Sequence, residues 1–262
     1  MTSTPRPPAP ETLAPNAPAW LTARPIAHRA LHDAARGVIE NTPSAVDAAL
    51  ARGYAIEVDI QLSADGEALV FHDDTLERLT LAQGLVRALT VAQLKAIEMR
   101  GTADRTMTLA ELLARVSGRV PLIIEMKSHF DGQTALAARA VRVLSGYEGP
   151  VALMSFDPDL VAAVRTRAPG IPRGITMEHR YDDPEWDMLS PQTKHDWGNL
   201  LHFPRTQPDF IAHYVKELPS AAVDQLRRRA PVPLLTWTVR TQADRDVAAR
   251  YADQMIFEGF LP

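Results

Sequence analysis

Ile56-Glu57-Val58-Asp59-Ile60 sets two carboxylates two residues apart inside an otherwise apolar run. Side chains alternate across a β-strand, so Glu57 and Asp59 share one face while Ile56, Val58 and Ile60 share the other. Two acids side by side in a core-facing strand repel each other and lose hydration, at a cost of several kcal/mol unless a positive charge compensates. A divalent cation supplies such compensation, whereas a strand whose polar face meets water needs none. The surrounding residues decide between these readings.

Working outward, the strand spans residues 54–62. Before it lies a helix with Thr42 as N-cap and Pro43 at the first helical position. Ala45, Val46, Ala49 and Leu50 recur at helical spacing, and Gly53 closes the helix. Residues 24–28 form the first strand. After the acidic strand, Asp65-Gly66 marks a tight turn, and residues 67–72 return antiparallel as a hairpin beside the main sheet.

Helices follow over residues 91–99 and 109–116. Strands are then expected at 121–126, 151–155, 173–176, 209–213, 232–239 and 254–257. The helices between them fall at 133–144, 158–167, 221–229 and 242–250. Eight strands alternating with helices predict an α/β fold with a parallel sheet, and a TIM-type (β/α)8 barrel with a small β-hairpin insertion after strand two leads at this length. An open doubly wound sheet is the alternative, disfavoured because no Gly-rich fingerprint follows strand one.

The 262 residues, 46% hydrophobic, suffice for one such domain over residues 19–262. Residues 1–18, rich in Pro, Ala and Thr, read as a disordered or loosely attached arm. That arm lacks a signal-peptide core, and no later run is apolar enough to span a membrane, so a cytoplasmic protein without stable membrane insertion is expected. A net charge of −4, with Arg227-Arg228-Arg229 the one compact basic run, argues against nucleic acid as a partner. The chain has no cysteine, so any metal must be held by oxygen or imidazole ligands.

Barrel enzymes gather their chemistry at the C-terminal ends of the strands. Strand one ends in His28-Arg29, strand two carries Glu57 and Asp59, the hairpin ends in His72-Asp73-Asp74, and strand three ends in Glu125 and Lys127. A solvated surface would not favour so many charged and imidazole groups at one end of successive strands.

The runs IAHRALHDAARGVIENT (residues 26–42), IEVDIQLSADGEALVFHDDTLERLT (56–80) and PLIIEMKS (121–128) resemble the glycerophosphodiester phosphodiesterase family. The likeness is dense over residues 24–128 and thins through SFD at 155–157 and WTV at 237–239. It implies hydrolysis of a small-molecule glycerophosphodiester to sn-glycerol 3-phosphate and an alcohol, with a divalent cation. Carried over by position, Glu57, Asp59 and Glu125 would be the metal ligands, and three hard oxygen donors suit Mg²⁺ or Ca²⁺. His28 and His72 would be the acid/base pair, and Arg29 and Lys127 would grip the phosphate. Glu40 resembles the family's acid near the metal and the glycerol hydroxyls, or else serves the N-terminus of the helix just after it. Trp237 would wall the glycerol moiety or lie in the core.

Departures from the family pattern are local. Ala30 stands where a glycine usually follows His-Arg, and residues 31–39 are longer than in many members. The end, residues 257–262, lacks the usual Thr-Asp and the closing helix of a barrel, which leaves the arm or a second copy of the chain, as a homo-oligomer, to cover that side. Residues 177–208 form a long polar excursion carrying His179, His195, His202, Trp186 and Trp197, either a lid or selectivity loop or an insertion packed by its own tryptophans. Lysophospholipase D or sphingomyelinase D-like chemistry, and a catalytically silent barrel binding phosphorylated ligands, are the competing functions.

Overall fold

The computed structural model describes residues 17–262, so most of the expected arm lies outside the described residues. Strand β1 (Ile26–Ala27) is short and is followed by helix α1 (Pro43–Arg52). The Thr42 hydroxyl accepts from the Ala45 amide, and Gly53 ends the helix at φ +69°, a left-handed position that suits a residue without Cβ. Strand β2 (Ala55–Leu62) carries the acidic pair. Its far end, Ile60–Leu62, pairs antiparallel with β3 (Ala68–Val70), which is the expected hairpin.

Helix α2 (Val91–Ala96) comes next, and β4 (Met107–Thr108) then adds a further antiparallel rung on β3. The sequence reading did not anticipate β4, because two residues show no alternation. Thr108 ends β4 and also caps helix α3 (Leu109–Val116) through a reciprocal pair with Glu111.

The remaining elements are β5 (Leu122–Met126), α4 (Ala135–Leu144), β6 (Val151–Ser155), α5 (Pro158–Arg167), β7 (Arg173–Met177), α6 (Pro191–Gly198), α7 (Phe203–Thr206), β8 (Phe210–Tyr214), α8 (Ala221–Arg227), β9 (Leu234–Val239), α9 (Gln242–Tyr251) and β10 (Gln254–Phe257). Strands β1, β2 and β5 to β10 pair in parallel around a circle that closes where β1 bonds both β10 and β2. This is the expected eight-stranded barrel, and closure leaves its parallel strands without an edge.

Alternation divides the apolar residues into two layers. Ile56, Val58 and Ile60 point outward and pack with Ala45, Val46, Leu112 and Leu113 from the surrounding helices. Ala55, Ile123, Phe210, Leu235 and Ile256 point inward, where Trp20 and Leu21 join them. At Gly174 a Cβ would lie 2.2 Å from the Phe210 ring, so only glycine leaves room for that phenyl group. After β10 the chain makes a turn in which Phe260 packs on Phe257, with ring centroids 5.5 Å apart. Phe260 therefore covers part of the side left open after strand eight, and the arm expected to cover it lies outside the described residues. Among the described residues no helix is long and apolar enough to cross a membrane.

Candidate active site

The register between β2 and β5 sets Asp59 directly beside Glu125, with Glu57 one inward step away on the same face. One oxygen from each of the three lies within 4.8 Å of the others. Glu57 and Asp59 are each 2% exposed and Glu125 is 7% exposed, so this is a buried group of acids rather than a wetted strand face.

The nearest cations are Lys127, whose Nζ is 3.1 Å from Glu125 and 3.9 Å from Asp59, and Arg29, whose Nε is 3.7 Å from Asp59. The Arg29 amide donates to Glu57 at 2.8 Å, an arrangement that uses a positive φ of 51° at Arg29 and 64° at Ala30. Burial, aided by Asp59 and Glu125, pushes the Glu57 carboxyl well above the usual carboxylate range. Burial works the same way on Asp59, but His72, Lys127, Arg29 and the Asn41 amide outweigh it and hold that carboxyl low.

Each histidine is held by a carboxylate on its Nδ1 side. His28 meets Glu258 at 2.7 Å, and His72 meets Asp73 at 2.7 Å. A carboxylate only accepts, so Nδ1 carries the proton in both rings. Lys127 is also a pure donor and lies 3.2 Å from His72 Nε2, which makes that nitrogen the acceptor. Burial draws His28 down to about 4, against the opposing pull of its Glu258 hydrogen bond. In both rings the carboxylate occupies Nδ1 and leaves Nε2 for other partners.

Glu40 stands behind this layer. Arg29 donates to one of its oxygens at 2.7 Å, and Arg78 bridges Glu40 to Asp73 with bonds of 2.7 and 2.6 Å. Burial opposes its charge, yet Arg78 and Arg29 hold the Glu40 carboxyl at about 2. Glu40 therefore clamps the phosphate-gripping candidate Arg29 and braces the partner of His72.

His28, Arg29, Glu57, Asp59, His72, Glu125 and Lys127 all line one cavity of about 260 Å³ at the C-terminal mouth of the barrel. The sequence model of the glycerophosphoryl diester phosphodiesterase family matches residues 28–260, and so spans every one of these positions. The chain belongs to that family.

As a member it is a phosphoric diester hydrolase. A glycerophosphodiester phosphodiesterase from Caldanaerobacter subterraneus is 28% identical over 231 residues, covering 84% of this chain and 87% of its own. Among solved structures, an Oleispira antarctica phosphodiesterase in complex with the product sn-glycerol-3-phosphate superposes with a TM-score of 0.73 at 21% identity, over 89% of this chain and 91% of that one. A Thermotoga maritima glycerophosphodiester phosphodiesterase gives a TM-score of 0.66 at 23% identity, over 88% and 92% of the two chains. At these identities the two structures speak for the fold.

The wall of this phosphodiesterase opposite the acids was mostly absent from the sequence reading. Trp237 lines the cavity, and its indole N–H donates to the Ala212 carbonyl at 3.0 Å. Phe156, Glu178, Asp183, Glu185, Trp186 and Tyr214 line it too. The excursion between β7 and β8 packs around its own aromatic residues and also lines the cavity. Tyr181 packs on Trp186 and Trp197, both of which also meet Phe130, and a Cβ at Gly198 would sit 2.1 Å from the His179 carbonyl oxygen, so the segment closes tightly on itself. Its near edge faces the cavity all the same.

Glu258 was also missed as the partner of His28. The one available signal was its place directly after strand eight, beside the start of strand one in a closed barrel.

Proposed function

We propose that the chain hydrolyses glycerophosphodiesters to sn-glycerol 3-phosphate and an alcohol, using a divalent cation. The observation that carries this reading is the buried oxygen trio Glu57, Asp59 and Glu125, facing two histidines and two cations across one small cavity. The residues fit a cation. Their side chains supply only hard oxygen donors, which suits Mg²⁺ or Ca²⁺, and the Glu57 carboxyl is raised by burial first and then by Asp59 and Glu125, a condition that a cation would relieve. Three carboxylates against two cations leave one excess negative charge, which a dication and a phosphodiester monoanion together cancel. A bound cation would draw electron density from a phosphoryl oxygen and favour attack at phosphorus.

The chain's own groups do the rest. Arg29, with its Nε buried and without a hydrogen-bond partner, and Lys127 meet the non-bridging oxygens and offset the charge that grows on them. One histidine takes the proton of the attacking hydroxyl on its neutral Nε2, and the other, first protonated on Nε2 from solvent, gives that proton to the departing alkoxide. Glu258 and Asp73 hold the rings so that Nε2 does this work. The cavity, about 260 Å³, lies just below the roughly 300 Å³ at which drug-sized pockets begin, so it suits a deacylated diester better than an acylated lipid.

The test is release of sn-glycerol 3-phosphate from a panel of glycerophosphodiesters with Mg²⁺, with Ca²⁺ and with chelator, beside Glu57→Gln and His72→Ala. Metal-dependent release, lowered about 10³-fold or more in Glu57→Gln and about 10²- to 10⁴-fold in His72→Ala, is the expected outcome. Folded, metal-loaded protein that releases nothing above the variants' background would sink the proposal, and turnover of lysophospholipids instead would replace it.

A further inference from the structure

The barrel mouth has two unlike arcs. Strands β1, β2 and β5, with the turn after β3, carry the acids, histidines and cations described above. The ends of β6 to β9 and the excursion after β7 carry aromatic rings and the acids Glu178, Asp183 and Glu185. The arcs meet where β5 lies beside β6, and Lys127 closes the first arc on that side. Its ammonium rides on a flexible four-carbon stem, so the place of its backbone decides which groups it can reach.

Regular pairing of β5 with β6 ends at Glu125 and Met154, short of Lys127. On the β2 side the Lys127 amide still donates to the Ile60 carbonyl at 2.9 Å. Toward β6, side chains take over. The Ser155 hydroxyl donates to the Met126 carbonyl at 2.7 Å and accepts from the Asp157 amide at 3.0 Å. The Ser128 hydroxyl donates to Asp157 Oδ2 at 2.5 Å and accepts from the Phe130 amide at 2.9 Å. The residues just before and just after Lys127 are thus both tied to the end of β6, through groups in which Ser155 and Asp157 are buried. The same turn sets the Phe130 ring 5.8 and 5.4 Å from Trp186 and Trp197 of the excursion. Ser128, Ser155 and Asp157 do not line the cavity, whereas their chain neighbours Lys127 and Phe156 do.

Asp157 also caps helix α5, where its Oδ1 accepts from the Asp159 amide at 2.7 Å. A cap needs one oxygen, and serine or asparagine supplies it about as well. The second oxygen, turned to Ser128, has no part in the cap. Burial raises the Asp157 carboxyl and the Ser128 bond opposes that rise. We infer that Asp157, acting through Ser128, is a positioning residue for Lys127, holding the end of β5 so that the ammonium stands at the phosphate site. The inference rests on the reading above in which Lys127 grips the phosphate, and it names what sets that grip. Lys127 Nζ lies 3.1 Å from Glu125 and 3.2 Å from His72 Nε2, so a drift of about 1 Å at the strand end takes it out of hydrogen-bond reach of both. A misplacement of that size costs up to about 10²-fold in rate.

A double-mutant cycle separates positioning from plain stability. Ser128→Ala is made alone and together with Lys127→Met, and Asp157→Ser drops the oxygen that faces Ser128 while keeping a cap. Each variant, its fold checked by circular dichroism, is read by kcat/KM on the best diester of the panel above and by calorimetric binding of sn-glycerol 3-phosphate, both with Mg²⁺. Lys127→Met should lower kcat/KM about 10²-fold. Ser128→Ala and Asp157→Ser should each lower it about tenfold, with a parallel fall in sn-glycerol 3-phosphate affinity. In the Lys127→Met background Ser128→Ala should cost less than about twofold, because the group it positions is gone. Equal losses in the two backgrounds would overturn the proposal, since the bond would then only stabilise the fold. An Asp157→Ser variant with full activity would overturn it as well and leave Asp157 a cap. Binding needs no turnover, so Ser128→Ala weakening sn-glycerol 3-phosphate through Lys127 in a protein that hydrolyses no diester would uphold the clamp and remove the hydrolase reading. Wild-type protein that neither hydrolyses diesters nor binds sn-glycerol 3-phosphate would remove both.

Discussion

Three acids that back the first arc of the barrel mouth and three on the opposite arc are in opposite condition. On the first, Glu40, Asp73 and Glu258 are each met by a guanidinium, and these carboxylates in turn fix Arg29, His72 and His28. On the second, Glu178, Asp183 and Glu185 meet no cation among the described residues. A paired carboxylate is a structural part that holds another residue in place. Of the second group only Glu178 is buried, and a buried carboxylate without a cation is a cost unless something completes it. The arc proposed to carry the reaction is braced from behind, whereas the opposite arc is left electrostatically open.

The largest effect expected from breaking this contrast lies at the brace behind His28. Removing the ring itself, His28→Ala, should lower kcat by about 10²- to 10⁴-fold. Glu258→Gln keeps the ring but removes the carboxylate that orients it, and should cost about 10- to 100-fold in kcat. Because the Glu258 hydrogen bond raises the His28 pKa against burial, its loss should move the His28 limb of the pH–rate profile to lower pH. A fall in rate with an unmoved profile would make Glu258 merely structural.

The first arc was legible in the sequence and the second was not, for a physical reason. Glu57, Asp59, Glu125 and Lys127 sit on or just beyond two adjacent strands, where a period of two fixes which side chains share a face, and parallel pairing then sets Asp59 against Glu125. His28 and His72 end their segments directly. Glu178, Asp183, Glu185 and Trp186 lie where a strand passes into an irregular excursion, and no period tells which of its side chains turn inward. Glu258 became a partner of His28 only through barrel closure, a contact across 230 positions. The expected hairpin came with a third strand, β4, because pairing made it and no local pattern announced it.

A smaller effect sharpens the comparison from the side of stability. A carboxyl raised to about 7 in the folded protein, against about 4.3 in an unfolded chain, binds more protons when folded, so stability falls as pH rises between these values and is level above them. Glu178→Gln removes that penalty. Thermal or denaturant unfolding should show a gain on the order of 2 kcal/mol at pH 8 and almost none at pH 4. A loss of stability at pH 8 would show that Glu178 is paired and would remove the contrast between the arcs.

The smallest effect is expected at Ala30, where the first arc stores strain. Its φ of 64° lies in the left-handed region, which costs an L-residue about 1–2 kcal/mol. Glycine would release that strain, but two terms oppose it. The Ala30 side chain is 2% exposed and packs in the outer core, so deleting its methyl forfeits about 0.8 kcal/mol. Glycine also gives the unfolded chain about 0.4–1 kcal/mol of added freedom. The terms nearly cancel, so Ala30→Gly should change unfolding stability by less than about 1 kcal/mol. Ala30→Val should cost several times more, since a β-branched residue tolerates positive φ poorly and the site has no space for it. Alanine can therefore occupy this turn because its methyl is packed, and the turn is kept because it aims the Arg29 amide at Glu57. A large gain in Ala30→Gly would mean that the methyl contributes little and that the strain outweighs its packing.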